Sequence, residues 1–257
     1  MLIEQSPLYL QNFVLILTRV GAVLMASPLF GVRGMPPHSK IGLAVFITLI
    51  FLPLESAELV PLPPGLLPFV IAVARELLIG LAVGFAVTLV FSGFHMAAQI
   101  ISLQIGYNIS GVLDPVTGFE SSPLDQFYSV LVMLLFLTIN GHYELLVGLQ
   151  QTYEVAPLGS LDASFLSSES VVRLSANTFV IALRIAMPLT AALLLADLGM
   201  AVIARTVPQI PVFLVGMPAK VALGLIFLMV TLPATVLVMG NILGRVVNDI
   251  SFLLTPR

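Results

Sequence analysis

Leu77-Leu-Ile-Gly-Leu-Ala-Val-Gly84 runs on through Phe85-Ala-Val-Thr-Leu-Val-Phe-Ser-Gly-Phe94 and reaches Asp114 without a single Asp, Glu, Lys or Arg. A charge-free stretch of this length exceeds the about 20 apolar residues with which a helix crosses a bilayer. The rest of the chain agrees with it. Of 257 residues, 59% are hydrophobic and 9% charged, and the mean hydropathy is +1.11, against about 25% charged residues in an ordinary soluble domain. A water-soluble globule is excluded, so lipid or apolar partner chains are the solvent for much of the surface. The sequence predicts an all-α integral membrane protein of helical hairpins, with short, broken helices in about six apolar segments and much of its surface facing other protein chains.

Composition excludes several functions. The net charge of -3, from 10 basic and 13 acidic residues, leaves no basic footprint for nucleic acid. Cysteine is absent, so there is no disulfide, thiolate nucleophile or sulfur-ligated metal. His38, His95 and His142 are isolated from one another and read as packing or interface residues rather than ligands. The motifs of zinc hydrolases, serine hydrolases, phosphate loops and dinucleotide folds do not occur. Neither an enzyme nor a cofactor is expected. The opening Met-Leu-Ile-Glu-Gln-Ser-Pro7 lacks an early basic cluster, so no cleaved signal is expected.

Breakers and charges divide the apolar sequence into runs. Phe13 to Phe30 contains Arg19, and Ile41 to Leu54 would make only about 21 Å of helix. Pro53, Pro61, Pro63, Pro64 and Pro68 mark a stiff connector. The third run, Leu66 to Phe94, contains Arg75-Glu76 and changes character at Gly93. Phe127 to Ile139 is short, and Pro157 to Glu169 reads as a solvated loop. Val171 to Ala204 carries Arg173, Arg184, Pro188 and Asp197, whereas Val221 to Gly244 resembles an ordinary span. Arg33 and Lys40 share one connector and Arg205 and Lys220 another, while acidic residues populate the alternate ones. With six crossings this places the basic connectors in the cytoplasm and the amino terminus outside.

Most runs are therefore shorter than a bilayer, and Arg19, Arg75, Glu76, Arg184 and Asp197 interrupt apolar helices. Each would cost about 2.5–3.5 kcal/mol at the membrane centre. This predicts an obligate subunit whose charges hold an assembly together, with snorkelling or pairing inside the chain as the plainer alternative. Asp197 could carry a proton or simply meet a nearby cation. His95, Gln99, Ser102 and Gly106 recur on one helical face, forming an uncharged polar stripe that either lines an aqueous passage or bonds to a neighbouring helix. Gly80 and Gly84, like Gly240 and Gly244, have the small-xxx-small spacing that brings helix backbones together.

Arg19-Val-Gly-Ala, Ser27-Pro-Leu-Phe-Gly31, Gly106, Asp114-Pro-Val-Thr-Gly118, Asn140-Gly-His142 and Arg184-Ile-Ala-Met-Pro188 through Asp197 together resemble the FliR family over nearly the whole chain. That family belongs to the flagellar type III secretion export gate, with injectisome relatives (SctT). The hairpin from Leu194 to Leu228 is similar to that of the small gate subunit FliQ. The resemblance implies a FliP-like part over residues 1–170, with a mid-chain pore loop at 106–123, and a FliQ-like hairpin over 171–257. It implies partners of the FliP, FliQ, FlhB and FlhA types in a conical assembly in the bacterial inner membrane, at the flagellar basal body. Unfolded polypeptides would be in transit through it.

By the same likeness a loop plugs the closed pore, here Gly106, Tyr107, Asn108, Ile109, Ser110, Gly111, Val112, Leu113, Asp114 and Pro115 through Gly118. The connector from Arg205 to Lys220 is expected to be extended by Pro208, Pro211 and Pro218, offering Gln209 and Phe213 to an FlhB-type partner. The rival reading from another class is an ion-coupled small-solute transporter built on Arg184, Asp197 and broken helices.

Overall fold

Seven α-helices make up the regular structure among the described residues of the computed structural model, which are 6–28, 36–55, 65–106, 123–159, 168–209 and 211–254. They are α1 (Ser6–Ala26), α2 (Pro37–Glu55), α3 (Leu66–Ile105), α4 (Pro123–Thr138), α5 (Gly141–Val155), α6 (Ser168–Thr206) and α7 (Val212–Leu254). Prolines open α2 and α4, where the missing N–H would have had no helical partner in any case. Asp125 in the first turn of α4, and Glu169 and Arg205 in the first and last turns of α6, complement the helix dipoles.

Helices α1, α2, α3, α6 and α7 are each long and apolar enough to cross a membrane, and α4 with α5, broken between them, would make a sixth span. An all-α integral membrane protein is what the chain forms. The helices nevertheless outrun the apolar runs that predicted them. Helix α2 has 19 residues and α3 has 40, continuing without a break through Gly93. Helix α7 has 43 and contains both Pro218 and Pro233. The expectation of spans shorter than the bilayer is corrected accordingly. Arg, Glu, Gln and Ser interrupt hydrophobicity without interrupting helix, because their backbone propensities are compatible with it. A proline within a long apolar helix removes one hydrogen bond and leaves the rest of the ladder standing.

Helix α5 has no counterpart among the predicted runs. It is amphipathic rather than apolar, burying Gly148, Leu149, Thr152 and Tyr153 at helical spacing, with Ala156 just beyond it. The break before it follows from Asn140, at φ 58°, in the left-handed region that Asn tolerates better than most residues. Gly141 then passes the Phe136 ring, where a Cβ would collide with Cε2.

The chain divides into two compact units, each with its own core. The first comprises Met1–Leu89, His142–Leu174 and Leu243–Arg257. In it, α3 lies along α1 through residues spaced four apart. A Cβ at Gly80 would sit 2.5 Å from the Arg19 carbonyl oxygen and 2.6 Å from Ala22 Cβ, and one at Gly84 would collide with Ala26 Cβ. Thr88 then donates its hydroxyl hydrogen to the Ala26 carbonyl at 2.6 Å. Contact positions rise together along both helices, so α1 and α3 run in the same direction. Leu15, Ile16, Val20 and Val23 of α1 and Ile79 and Val83 of α3 are buried in this unit.

The second unit comprises Val90–Gly141 and Ser175–Ile242. Its core gathers Phe94, Ala97 and Ile101 of α3, Phe136 of α4, and Ala182, Leu189 and Leu193 of α6. Gly93 approaches α6 closely, since a Cβ there would stand 2.9 Å from the Thr178 carbonyl oxygen. A Cβ added at Gly240 or Gly244 would meet nothing within 4 Å among the described residues. Of the two small-residue spacings, the one at Gly80 and Gly84 is therefore the one that brings backbones together among the described residues.

Replacing Gly80 with alanine forces the Cβ against backbone and is expected to destabilise the first unit by about 1–3 kcal/mol. Gly240→Ala in the purified chain should be neutral or slightly stabilising. Thermal unfolding in detergent of the two variants side by side measures the difference, and equal midpoints would refute the close packing of α1 on α3.

Candidate functional site

Arg19 sits near the middle of α1, where the sequence surrounds it with apolar residues, and its side chain is fully buried. Nε donates to Glu76 Oε2 of α3 at 2.5 Å. Nη1 donates to Thr152 Oγ1 of α5 at 3.2 Å, and Nη2 to the Ala156 carbonyl at 2.9 Å. The guanidinium carbon lies 4.2 Å from the centre of the Tyr153 ring, a cation–π stacking distance. Tyr153 in turn packs against Phe51 of α2, with ring centres 5.8 Å apart. Glu76 is also buried, and its Oε1 accepts the Gly159 N–H at 3.3 Å. One guanidinium thus ties α1, α2, α3 and α5 together. Isolated, either charge would be severely penalised in a low-dielectric interior, and the hydrogen bonds on both partners make burial tolerable. The sequence marked Arg19 and Glu76 as buried charges but gave no sign that they meet.

In the second unit the polar stripe is divided by its surroundings. His95 and Gln99 are exposed, whereas Ser102 is completely buried and its hydroxyl has no hydrogen-bond partner among the described residues. His95 Nδ1 lies 3.3 Å from Ser129 Oγ of α4. Gly106 closes α3 at φ 90°, with its N–H shared between the Ser102 and Leu103 carbonyls at 3.2 and 3.1 Å. That left-handed cap suits glycine and ends the helix where the expected pore loop begins. Tyr107, Asn108, Ile109, Ser110, Gly111, Val112, Leu113, Asp114, Pro115 and Gly118 lie outside the described residues.

Asp197 of α6 forms an ion pair with Lys220 of α7, both side chains being partly exposed. The Gln104 amide of α3 donates to Asp197 Oδ2 at 3.4 Å. Asp197 therefore finds a cation inside its own chain, the plainer of the readings open for it, and sequence order offered no way to choose Lys220. Arg75 is half-buried and engaged in an interaction, whereas Arg184 is exposed.

The connector differs from its expectation. Arg205 belongs to the last turn of α6, and α7 begins at Val212, so Phe213, Pro218 and Lys220 are helical. The Leu214 and Val215 N–H groups bond back to the Pro211 carbonyl at 2.9 and 3.3 Å. An extended segment reaching Lys220 is thereby corrected to a short turn around Pro208, Gln209 and Pro211, all three exposed. The reason is that a proline at a helix start initiates it, and one further in removes only a single bond. Among the described residues no three His, Asp or Glu side chains gather as a metal site.

The sequence matches the family described as bacterial export proteins, family 1, over residues 10–246. It is 31% identical over 251 residues to the flagellar biosynthetic protein FliR of Bacillus subtilis, covering 94% of each chain. It is 30% identical over 230 residues to FliR of Escherichia coli, covering 90% of this chain and 87% of that one. With FliR of Aquifex aeolicus the identity is 28% over 237 residues, covering 92% and 91%.

Arg19→Ala would strand the Glu76 carboxylate in the interior, at an expected cost of about 3–5 kcal/mol. The double replacement Arg19→Met with Glu76→Leu should recover much of that loss, because no buried charge remains. Protease resistance and thermal unfolding of the three variants provide the comparison. A double variant no better than Arg19→Ala would show that the hydrogen bonds to Thr152 and Ala156, rather than charge pairing, hold the node.

Proposed function

The chain belongs to the FliR family of bacterial export proteins, and from that premise we propose that it helps form the closed pore through which unfolded flagellar proteins leave the cytoplasm. The observation that carries this reading is the near end-to-end match to flagellar FliR relatives. The long apolar helices fit a membrane component of the flagellar export apparatus. The finer parts of the reading are an inner-membrane location at the basal body and companions of the FliP, FliQ, FlhB and FlhA types. In this reading residues 1–170 correspond to a FliP-like part and 171–257 to a FliQ-like hairpin.

The segment from Gly106 to Gly118 is proposed as the plug. A passage wide enough for an unfolded chain would leak ions unless blocked, and a loop can be displaced without unpacking helices. Two features support this assignment: α3 is a continuous apolar helix up to Ile105, and Gly106 terminates it with a left-handed cap. The exposed His95 and Gln99 on the last turns of α3 would then border the passage. The short turn at Pro208, Gln209 and Pro211 is proposed as the docking point for the FlhB-type partner. The transporter alternative drew on Arg184, Asp197 and broken helices, and the engagement of Asp197 with Lys220 and Gln104 weakens that reading.

Deleting Ser110 to Thr117 should leave assembly intact, raise the ion conductance of the membrane and slow growth. Background conductance in an assembled complex would mean that occlusion comes from the partner subunits. Since the chain has no cysteine, a single cysteine at Gln209 should crosslink to the FlhB-type partner, and no product from 207 through 211 would overturn that docking point.

A further inference from the structure

A hydrocarbon layer about 30 Å thick covers about 20 residues of helix at 1.5 Å each. Within the apolar span Val171–Thr206 of α6, every window of that length includes Arg184 or Asp197. Asp197 has its counter-charge in Lys220. Arg184 does not. Its side chain is exposed and makes no hydrogen bond or ion pair with any described residue. Its neighbours on the helix surface are the exposed apolar side chains Val180 (50%), Leu183 (52%) and Met187 (60%).

A second feature falls on the same residue. Pro188 lies inside α6, four positions after Arg184, and lacks the N–H that would bond the Arg184 carbonyl. Among the described residues, one turn of an apolar helix face therefore presents a cation without an acceptor and a carbonyl without its helical donor. Bare lipid tails satisfy neither, and each unsatisfied group is penalised in hydrocarbon.

We propose that the Arg184–Pro188 turn is a docking site for a transmembrane helix of another subunit, which presents a carboxylate to the guanidinium. The inference rests on the export-gate reading above and names the chemistry of one contact within it. A carboxylate takes the planar guanidinium by two parallel hydrogen bonds, and a hydroxyl beside it can donate to the freed carbonyl. A lipid phosphate can accept from the guanidinium only where the arginine reaches the headgroups, whereas a partner helix can bring a carboxylate to it at any depth of the span. The exposed Val180 and Met187 supply apolar contact that excludes water from the pair.

The test uses the full chain, tagged and coexpressed with its export-apparatus partners, with a photoreactive amino acid at Met187. After irradiation in membranes and purification in mild detergent, mass spectrometry should find a crosslink to a transmembrane segment of another chain, within one turn of an Asp or Glu. Arg184→Glu should lower recovery of that partner at least about tenfold, Arg184→Lys should lower it less, and reversing the partner's carboxylate to Lys should restore recovery with Arg184→Glu. Phospholipid adducts alone, a crosslinked segment without a carboxylate, or unchanged recovery with Arg184→Leu would overturn the proposal. Any of these, with partners still recovered on the wild-type chain, leaves the export-gate reading standing. A wild-type chain recovered alone and folded would overturn both.

Discussion

The Arg19–Glu76 pair fixes how the first unit can be built. A guanidinium in the middle of an apolar helix must be met by an acceptor, and the acceptor lies on a different helix that is buried along with it. Once Glu76 faces Arg19, the register between α1 and α3 is set. The residues that follow Glu76 at four-residue intervals are Gly80, Gly84 and Thr88, and each meets α1 one step further along. The glycines let the backbones approach closely enough for the ion pair to close, and the Thr88 bond to the Ala26 carbonyl secures the end of the seam. An ion pair adds little net stability when compared with apolar packing, but it penalises every register in which the two charges fail to meet.

The same pair explains the presence of a polar helix in an otherwise apolar chain. Helix α5 is the one whose residues would be least at home in lipid, and it is there that Thr152, Tyr153 and the Ala156 carbonyl meet the remaining face of the guanidinium. Its amphipathic pattern has a cause in the site it completes. In the second unit the arrangement is looser: Asp197 and Lys220 are partly exposed and Ser102 lacks a partner among the described residues.

The helices also show why apolar runs understate spans. A hydropathy reading takes the third run only from Leu66 to Phe94 and the last only from Val221 to Gly244, yet α3 continues to Ile105 and α7 begins at Val212. Long exposed side chains such as Met25 and Leu66, at 77% and 79%, are acceptable where lipid or other subunits replace water. The inference that the chain is one subunit of a larger body thus rests on its charges and its family, and not on short helices.

Composition, spacing and turn chemistry were enough to set the class of this protein: a charge-poor, apolar, all-α membrane chain, with buried charges at Arg19 and Glu76, a close-packing signal at Gly80 and Gly84, and motifs sufficient to identify its family. All of these are local features. The packed helices were needed to show which charges are partners, that α5 completes the Arg19 node, that Asp197 belongs to Lys220, and that the Gly240 and Gly244 spacing draws no helix close among the described residues. Each paired contact depends on residues far apart in sequence being brought within about 3 Å, the range of a hydrogen bond. A linear pattern records which residue needs a partner, whereas the packing of the helices selects the one that is near enough to serve.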